Sequence, residues 1–344
     1  MSIKSKLLSN KALYPFIIAL KSCKDSETRE RIWGLRHDKD EIVVKHLGEE
    51  RTGEIIYNIN LNDEFGGFFA LLRWVCTALV YSDKRGFIPF VKLGDKCKYY
   101  DPDVKETGNV FEYYFKPVSS VLAGDVAKAA NVVNYETKHL MEVRSDVSFQ
   151  LDSSIVDVFA DIWRKYIRIN EETKTKLNTD IAAVVDNNKK TIAVHYRGTD
   201  FKLQYSGHPV AIDLQEEIDV IKELIDKEGY ERVFLATDEK TAIDAFRDHF
   251  GDIVSCYSDT YRSQDGTAVH DSKDSRLNHK YLLGYEVLRD TLTMASCDAL
   301  VAGVSNVSFF AMVINKAVFK PYKVCRICYH GMNSNANVYA KKNS

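Results

Sequence analysis

The sequence predicts an α/β protein built on parallel sheets, and three observations support this prediction. From residue 189 onward, short β-rich runs alternate with helical runs, the pattern of a doubly wound parallel sheet. A separate βαβ pattern lies between residues 53 and 93. The length of 344 residues exceeds what one ordinary core supports, so we expect two domains.

Composition and charge are those of a globular protein and indicate no polyanionic partner. Hydrophobic residues make up 45% of the chain and charged residues 28%, with a formal net charge of −2. This balance gives no argument for binding nucleic acid or an anionic membrane, so any anion site must be a local cluster. No apolar run reaches the length of a membrane-spanning helix, and we expect no membrane span.

The cysteines and an N-terminal apolar run bear on the compartment. Seven cysteines scattered through a long chain predict reduced thiols and a cytoplasmic protein. The run 12–20 follows three lysines (Lys4, Lys6 and Lys11) and could pass for a short signal peptide. Lys21 comes directly after it and no small-x-small cleavage site is visible, so we expect a cytoplasmic location.

Two short motifs have metal-ligand spacing, but neither predicts a metal site. Cys325 and Cys328 form a CxxC motif without a second pair or a histidine partner at zinc spacing. Asp101-Pro102-Asp103 has the spacing of a DxD motif, but its proline indicates an ordinary turn. We therefore expect no metal and no other cofactor.

The N-terminal domain is predicted from residue 1 to residue 150. Its clear elements are a strand over 54–61, a helix over 68–84 and a strand over 87–93, which Pro89 marks as an edge strand. The pair Gly66-Gly67 precedes the helix. It can admit a diphosphate to free backbone N–H groups, or it can serve tight strand–helix packing.

Two further segments complete this half of the chain. An aromatic cluster precedes Pro117, and we favour a core role for it over a platform that binds an acceptor substrate. Its members are Phe111, Tyr113, Tyr114 and Phe115. A helical segment over 151–188 ends in the polar run 186–190, the best boundary signal in the chain. We expect it to connect the two domains.

The second domain is predicted over 189–344, with a C-terminal tail that can return to the first domain. Strands are predicted over 191–194, 232–236, 253–257, 299–302 and 317–319, and helices over 213–228, 241–250, 278–296 and 307–314. Polar residues of ligand-binding type follow several of the strands. They are His195, Arg197 and Asp200 after the first, Thr237 and Asp238 after the second, and Ser305 and Asn306 after the fourth.

These residues suit a nucleotide cleft, because the carboxyl ends of parallel strands meet at one edge of a sheet. Arg197 can hold a phosphate with both arms of its guanidinium group. The helix that begins near Ser305 can take a phosphate at its N-terminus. Asp290 lies in a largely apolar stretch of its helix, where a carboxylate must be paired, exposed or reserved for a ligand.

A purely local interpretation is also open. Arg197 and Asp200 could form an ion pair, His195 could be a core histidine, and Ser305 and Asp238 could cap helices. None of these local roles explains why the residues occur as a set. The chain has no GxGxxG after the first strand of either half and no Walker lysine loop, which disfavours dehydrogenases and P-loop NTPases.

Three motifs in a fixed order resemble a known superfamily. They are His195-Tyr196-Arg197-Gly198-Thr199-Asp200, Leu235-Ala236-Thr237-Asp238, and Asp290 with the run Ala295 to Asn306. The series is similar to that of the GDP-fucose-dependent fucosyltransferases: the α1,6-fucosyltransferases, the nodulation fucosyltransferases and the protein O-fucosyltransferases. It covers most of residues 189–320, and Gly66-Gly67 resembles their glycine loop more loosely.

The resemblance implies a GT-B fold, in which two Rossmann-like domains face a cleft. It implies inverting, metal-independent transfer of fucose from GDP-fucose to a hydroxyl of a glycan acceptor. Arg197 is then expected at the pyrophosphate, His195 and Asp290 at the guanine nucleoside, and Asp238 near the nucleoside. Thr237 is expected among the residues that bind the donor. Ser305 and Asn306 are expected at the phosphates.

Two departures from the superfamily pattern affect the catalytic assignment. Gly198 stands where a second basic residue is common. Either charge neutralisation is weaker in this protein, or the charge comes from Arg262, Lys280 or the N-terminal domain. The stretch 201–208 has no carboxylate at the place where some members carry a base. Asp200, His208 and Asp63 are the candidate bases, and Asp63, Tyr113 and Tyr114 are candidate contacts for the acceptor.

The departures leave other functions open. The protein could be a glycosyltransferase that uses another nucleotide sugar, or a nucleotide-sugar-binding module without catalysis. A nicotinamide enzyme is disfavoured by the absent glycine fingerprint.

Overall fold

Two separate parallel sheets form the frame of the protein. The computed structural model describes residues 42–61, 66–105, 107–143, 150–198, 208–263, 269, 272 and 274–334. Residues from Lys45 onward form one compact unit that contains both sheets. The apolar run 12–20 lies outside the described residues, as do Asp63 and Asp200.

The first sheet has three parallel strands in the order β2-β1-β3. They are β1 (Ile56–Asn60), β2 (Ile88–Lys92) and β3 (Val132–Asn134). Helix α1 (Phe68–Arg85) connects β1 to β2, and its apolar residues at helical spacing are buried, as their periodicity predicts. Pro89 lies in β2, at the edge of the sheet, where the missing N–H of proline is tolerated.

Short helices and the helical connection follow. Helix α2 (Val110–Tyr114) carries three members of the aromatic cluster, and the fourth, Phe115, directly follows it. Helix α3 (Ala123–Val126) precedes β3. A 3₁₀ helix over Thr137–Glu142 comes after β3. Helices α4 (Ser153–Tyr166) and α5 (Glu171–Val184) form the connection to the second sheet.

The second sheet has five parallel strands in the order β6-β5-β4-β7-β8. They are β4 (Thr191–Tyr196), β5 (Arg232–Thr237), β6 (Val254–Ser255), β7 (Ala299–Gly303) and β8 (Val324–Cys328). In chain order this is the Rossmann arrangement 3-2-1-4-5. Strand order reverses between β4 and β7, and a ligand is expected there, beyond the carboxyl ends of these two strands.

Helices cover both faces of the second sheet. Helices α6 (Leu214–Glu228) and α7 (Lys240–Phe250) bury one face, with Ile192 and Val194 of β4 in that core. Helices α8 (His279–Ser296) and α9 (Asn306–Val318) cover the other face, with Ala193 of β4. A strand buried on both sides reads as a continuous apolar run, and this confirms the predicted α/β class.

Helix α4 ties the two halves together. It packs against α1 of the first half and against α9 of the second. Phe310 of α9 contacts both Trp163 of α4 and Phe69 of α1, with ring centroids 6.1 and 5.0 Å apart. The predicted connecting role of the segment therefore has a packing basis, while the domain limits at 150 and 188 stay predictions.

Two strand predictions need correction. Residues 317–319 do not form a strand, because α9 continues through Val318 and the strand that follows is β8. Apolar residues at the end of a helix resemble a short strand, and only the run Val324–Cys328 has the β-rich pattern of the real strand. Strand β4 is two residues longer than predicted and includes His195 and Tyr196.

The CxxC motif lies on β8, and this position determines where its two cysteine side chains point. Cys325 and Cys328 lie three residues apart on an extended strand, so their side chains point to opposite faces of the sheet. They cannot close on one metal ion or on each other in this conformation.

Candidate functional site

A pocket lies at the reversal point of the second sheet. It contains about 290 Å³ of empty space, part of it open to solvent. Its wall combines the carboxyl ends of β4 and β7 with the segment before α6. The lining residues are His195, Tyr196, Arg197, Val210, Ile212, Glu217, Gly303, Val304 and Ser305. The structure thus brings together three residues that the sequence predicts for the site: His195, Arg197 and Ser305.

Ser305 links the pocket to the N-terminus of α9. Its hydroxyl accepts the N–H of Ser308 at 3.0 Å, and its own N–H donates to the Ser308 hydroxyl at 3.0 Å. The capping role considered for Ser305 is therefore real. The Ser305 hydroxyl also lies 3.3 Å from Nδ1 of His195, so the cap fixes the histidine at the wall of the pocket.

His195 is a neutral group in this setting. Burial, together with the positive charge of Arg197, lowers the pKa of His195 to about 3. An imidazole with such a pKa stays uncharged at physiological pH, so it can offer hydrogen bonds but no charge. Among the three predicted residues of the pocket, only Arg197 can neutralise an anion.

Hydrogen bonds connect the loops that follow β4, β5 and β6. The N–H of Gly198 donates to Oδ1 of Asp238 at 2.9 Å, and the N–H of Ser263 donates to the backbone oxygen of Asp238 at 3.2 Å. Glu239 occupies the N-cap position of α7 and makes no side-chain capping hydrogen bond, so Asp238 has the bridging position and not the capping role. The Thr237 hydroxyl accepts the N–H of Glu239 at 3.2 Å. Contacts of Thr237 and Asp238 with a ligand stay predictions.

Gly198 packs closely against the side chain of Glu239. A Cβ atom built on it would lie 1.8 Å from Oε2 and 3.1 Å from Cβ of Glu239. The side chain of Glu239 therefore occupies the space that a basic side chain at position 198 would need. The pKa of the nearby Tyr196 is raised to about 12, mainly by burial and further by four surrounding carboxylates, which are Glu239, Glu217, Asp213 and Asp238. The surroundings of Gly198 are therefore acidic.

We expect Gly198→Ala to destabilise the protein by about 1 kcal/mol, because the Glu239 side chain must shift to admit the methyl group. Chemical denaturation measures this effect. The same substitution is also made in the Glu239→Ala variant, where Gly198→Ala should destabilise the protein much less. Equal effects in both backgrounds would show that Glu239 does not restrict position 198.

Asp290 lies apart from the pocket, in a charged neighbourhood on α8. Burial raises the pKa of the Asp290 carboxyl to about 7, and the neighbouring Arg289 and Arg262 oppose this rise. Arg262 donates to the backbone oxygens of Tyr257 and Thr260 at 2.8 and 3.0 Å. Arg262 thus holds the loop after β6, and it does not line the pocket.

Arg289 anchors the same loop from α8. It is buried, and it donates to Asp259 at 2.7 Å and to Asp180 of α5 at 3.1 Å. The Arg289 guanidinium also lies 3.8 Å from the ring centre of Tyr257. Arg289, the neighbour of Asp290 on α8, therefore holds the loop after β6 in place. Lys280, the other cation considered as a substitute at Gly198, is exposed on α8.

The glycine pair lies at the N-terminus of α1. A Cβ atom on Gly66 would come within 2.9 Å of Ala70 Cβ and 3.2 Å of Trp74 Cη2, which supports the packing interpretation. The first N–H of the helix, that of Phe68, donates to the Tyr99 hydroxyl at 2.7 Å. Phosphate binding by Gly66 and Gly67 stays a prediction.

The aromatic cluster is core, as favoured from the sequence. Phe111, Tyr113, Tyr114 and Phe115 are all buried. The Tyr113 hydroxyl donates to the backbone oxygen of Asp101 at 2.6 Å, within the turn that carries the DxD motif. The Tyr114 hydroxyl donates to the backbone oxygen of Tyr281 at 2.8 Å. The suggestion that Tyr113 and Tyr114 contact an acceptor is therefore wrong for this conformation, because both side chains are enclosed.

The remaining predicted residues lie around the pocket. Asn306 is the first residue of α9, and its Oδ1 is 3.5 Å from Nε2 of Gln150. His208 begins the segment that leads to Val210, and its backbone oxygen accepts the N–H of Asn333 at 2.9 Å. A base role for His208 stays a prediction. In the described ranges, no group of three or more His, Cys, Asp or Glu side chains could hold a metal ion.

Glu217 is a pocket residue that the sequence interpretation missed. It lies in the first turn of α6 and is only 1% exposed. Helical spacing places it in line with Leu214 and Ile221, on the face that packs on the sheet. A carboxylate on an apolar helix face is a signal that the sequence does contain.

Comparison with known proteins gives fold likenesses only. No protein-family profile matches the chain, and no curated protein does. The chain is similar in structure to the fucosyltransferase NodZ from Bradyrhizobium, with 15% identity, a TM-score of 0.46, and coverage of 75% of this chain and 92% of NodZ. An α1,6-fucosyltransferase NodZ structure soaked with GDP-fucose gives 15% identity, a TM-score of 0.48, and coverage of 76% and 92%. POFUT1 in complex with GDP-fucose gives 12% identity, a TM-score of 0.45, and coverage of 82% and 99%. At TM-scores below 0.5 these likenesses carry no functional argument, so function must be argued from the site itself.

Proposed function

We propose that the protein is a glycosyltransferase that moves fucose from GDP-fucose to a hydroxyl group of a glycan, with inversion and without a metal ion. One observation carries this proposal: Arg197, neutral His195 and the capped N-terminus of α9 meet in one pocket at the reversal point of a Rossmann-ordered sheet. The order of the three sequence motifs supports the choice of donor.

The chemistry of the pocket suits a diphosphate leaving group. Negative charge grows on the diphosphate as the bond to the sugar breaks, and a fixed cation with aligned N–H groups stabilises it. Arg197 and the first turn of α9 can provide these two elements. The acceptor hydroxyl needs only a modest base if the transition state resembles an oxocarbenium ion.

Asp290 supports the choice of guanine. A guanine ring presents two N–H donors on one edge, its ring N1–H and its amino group, and a carboxylate can accept both. The pKa of the Asp290 carboxyl is about 7. Donated hydrogen bonds favour the ionised form of a carboxyl group, so such donors convert it into a carboxylate that accepts both of them. Uracil and adenine do not offer this pair of donors.

Calorimetric titration with GDP, UDP and ADP tests the donor assignment. We expect GDP to bind at least tenfold more tightly than UDP or ADP, because those two bases leave one or both oxygens of Asp290 without a partner. Preferential binding of UDP would overturn the fucose assignment and leave a glycosyltransferase for another nucleotide sugar.

A non-catalytic nucleotide-sugar-binding module is the second candidate. It is favoured by the absence of a carboxylate in the stretch 201–208. Donor hydrolysis and transfer to a panel of glycan acceptors separate the two functions. Binding of GDP-fucose without turnover on any acceptor would favour the module.

The cytoplasmic location stays a prediction. Over the part of the chain that the structure describes, none of the helices combines the length and the apolar character that crossing a bilayer requires.

A further inference from the structure

Glu217 is a buried acid in the wall of the pocket. Its side chain is one of the pocket-lining groups, together with Arg197 and Ser305. It is 1% exposed, and its Oε2 atom has no hydrogen-bond partner among the described residues. Buried polar atoms without partners are rare in folded proteins, so this one needs an explanation.

The environment of Glu217 favours its neutral form. Burial, with a smaller contribution from the neighbouring Glu216, raises the pKa of Glu217 well above its ordinary value. A protonated carboxyl group has one O–H donor and retains acceptor oxygens. It can therefore bond a hydroxyl group of a ligand without adding negative charge to a pocket meant for a diphosphate.

The wall beside Glu217 is apolar. Val210 and Ile212, from the segment before α6, line the pocket together with Val304 from the loop after β7. The polar groups Arg197 and Ser305 lie on the β4 and α9 side. Apolar and polar surfaces therefore lie next to each other in one small pocket that is partly open to solvent.

A 6-deoxyhexose matches these surfaces, because it has hydroxyl groups on one part of the ring and a methyl group on another. We propose that the pocket takes the 6-deoxyhexose ring of the donor, with Glu217 bonding a ring hydroxyl and Val210 and Ile212 packing on the C6 methyl group. This inference rests on the proposed function and adds to it the residues that select the sugar.

The test uses three variants and two ligands in calorimetric titrations. Glu217→Leu removes the polar group, Glu217→Gln keeps a neutral donor and acceptor of the same shape, and Glu216→Gln is the matched control. Glu216 is the adjacent glutamate, and its Oε2 lies 2.6 Å from Nε2 of His330, outside the pocket lining. The ligands are GDP, which lacks the sugar, and GDP-fucose.

We expect Glu217→Leu to weaken GDP-fucose binding about 10- to 100-fold and to leave GDP binding unchanged. Glu217→Gln and Glu216→Gln should bind both ligands within about threefold of the unaltered protein. Glu217→Leu should also melt at the same or a higher temperature, because it replaces an unpartnered buried polar group with an apolar one. A residue with a merely structural role would show the opposite effect on melting.

The methyl contact is tested with GDP-L-galactose, which differs from GDP-fucose by one hydroxyl group at C6. We expect it to bind about tenfold more weakly than GDP-fucose, since an apolar pocket rejects an added hydroxyl only moderately. Equal binding of the two would overturn the methyl contact.

Three outcomes contradict the role of Glu217, and they are distinguishable. If Glu217→Leu binds GDP-fucose as the unaltered protein does, the inference fails while the proposed function stands. If Glu217→Gln keeps its affinity for GDP-fucose but loses turnover, Glu217 acts as a base and its binding role as a neutral acid is wrong. If the unaltered protein binds neither GDP nor GDP-fucose, the proposed function fails and the inference fails with it.

Discussion

Replacing Arg197 with alanine is expected to lower turnover about a hundredfold or more while the melting temperature stays unchanged. The guanidinium group follows β4 directly and lines the pocket where the diphosphate is proposed to bind. A charge-assisted contact that strengthens toward the transition state contributes about 3 kcal/mol, which corresponds to this loss in rate. Arg197 is not part of the apolar core, so its removal should leave the fold intact.

Lysine at position 197 should restore little of the activity. A compact ammonium group cannot reproduce two parallel N–H bonds to a phosphate, although it restores the charge. Asp238 and Glu239 lie in the adjacent loop and can attract the flexible lysine side chain away from the phosphate. This should reduce the activity of Arg197→Lys further.

Arg232→Ala is the control for both Arg197 variants. Arg232 is the first residue of β5, so it lies at the amino ends of the strands, away from the pocket at their carboxyl ends. It donates to the backbone oxygen of Asp252 at 3.0 Å. Its loss should leave turnover unchanged. Near-normal turnover of Arg197→Ala would remove Arg197 from the mechanism. An unfolded Arg197→Ala protein would instead support the local interpretation, in which the arginine holds its own loop.

The fold could be predicted largely because its helices are amphipathic and its central strands are apolar. Helix α1 was predicted to within one residue of its end, since its apolar spacing persists through the whole helix. Strand β8 was missed because its residues are partly buried or exposed and Arg326 interrupts its short apolar run. An edge strand with one covered side gives a weaker pattern than a central strand such as β4.

The site could be predicted only in part, because sequence order shows which loops meet but not what fills the space between them. His195, Arg197 and Ser305 meet as expected from the ends of β4 and β7. The contact between Gly198 and Glu239 depends on two loops 41 residues apart in the chain, and no local pattern reveals it. Glu217 was missed because its helix was interpreted from its apolar residues alone.

Binding of GDP is expected to weaken by about tenfold per pH unit as the pH falls below 7, because Asp290 must be ionised to accept both N–H groups of guanine. Burial raises the pKa of Asp290 to about 7 in the ligand-free protein. Below that pH the carboxyl group is protonated, and binding has to include the loss of its proton. Above it the carboxylate is already formed, so the affinity should become constant.

Asp290→Asn isolates this effect. We expect it to lower GDP affinity about a hundredfold at pH 8, since two charge-assisted hydrogen bonds are lost or inverted. The terminal phosphate of GDP also titrates at a pKa of about 6. The quantity to measure is therefore the GDP affinity of the unaltered protein divided by that of Asp290→Asn. Calorimetry gives this ratio from pH 5.5 to pH 8 (roughly the range in which both groups titrate). This ratio should be largest at pH 8 and should fall as the pH falls.

The same substitution has an expected effect on stability with a defined sign. A folded-state pKa near 7, raised from 3.8, means that the folded protein holds this proton more tightly than the unfolded chain does. The contribution of Asp290 to stability is then fully present below pH 3.8 and is lost as the pH rises toward 7. Asp290→Asn should therefore stabilise the ligand-free protein at pH 8 by about 1–2 kcal/mol, measured by chemical denaturation. Asp244→Asn, at an exposed position on α7, is the control and should change neither affinity nor stability. An affinity ratio that stays constant across the pH range would show that Asp290 does not contact the base.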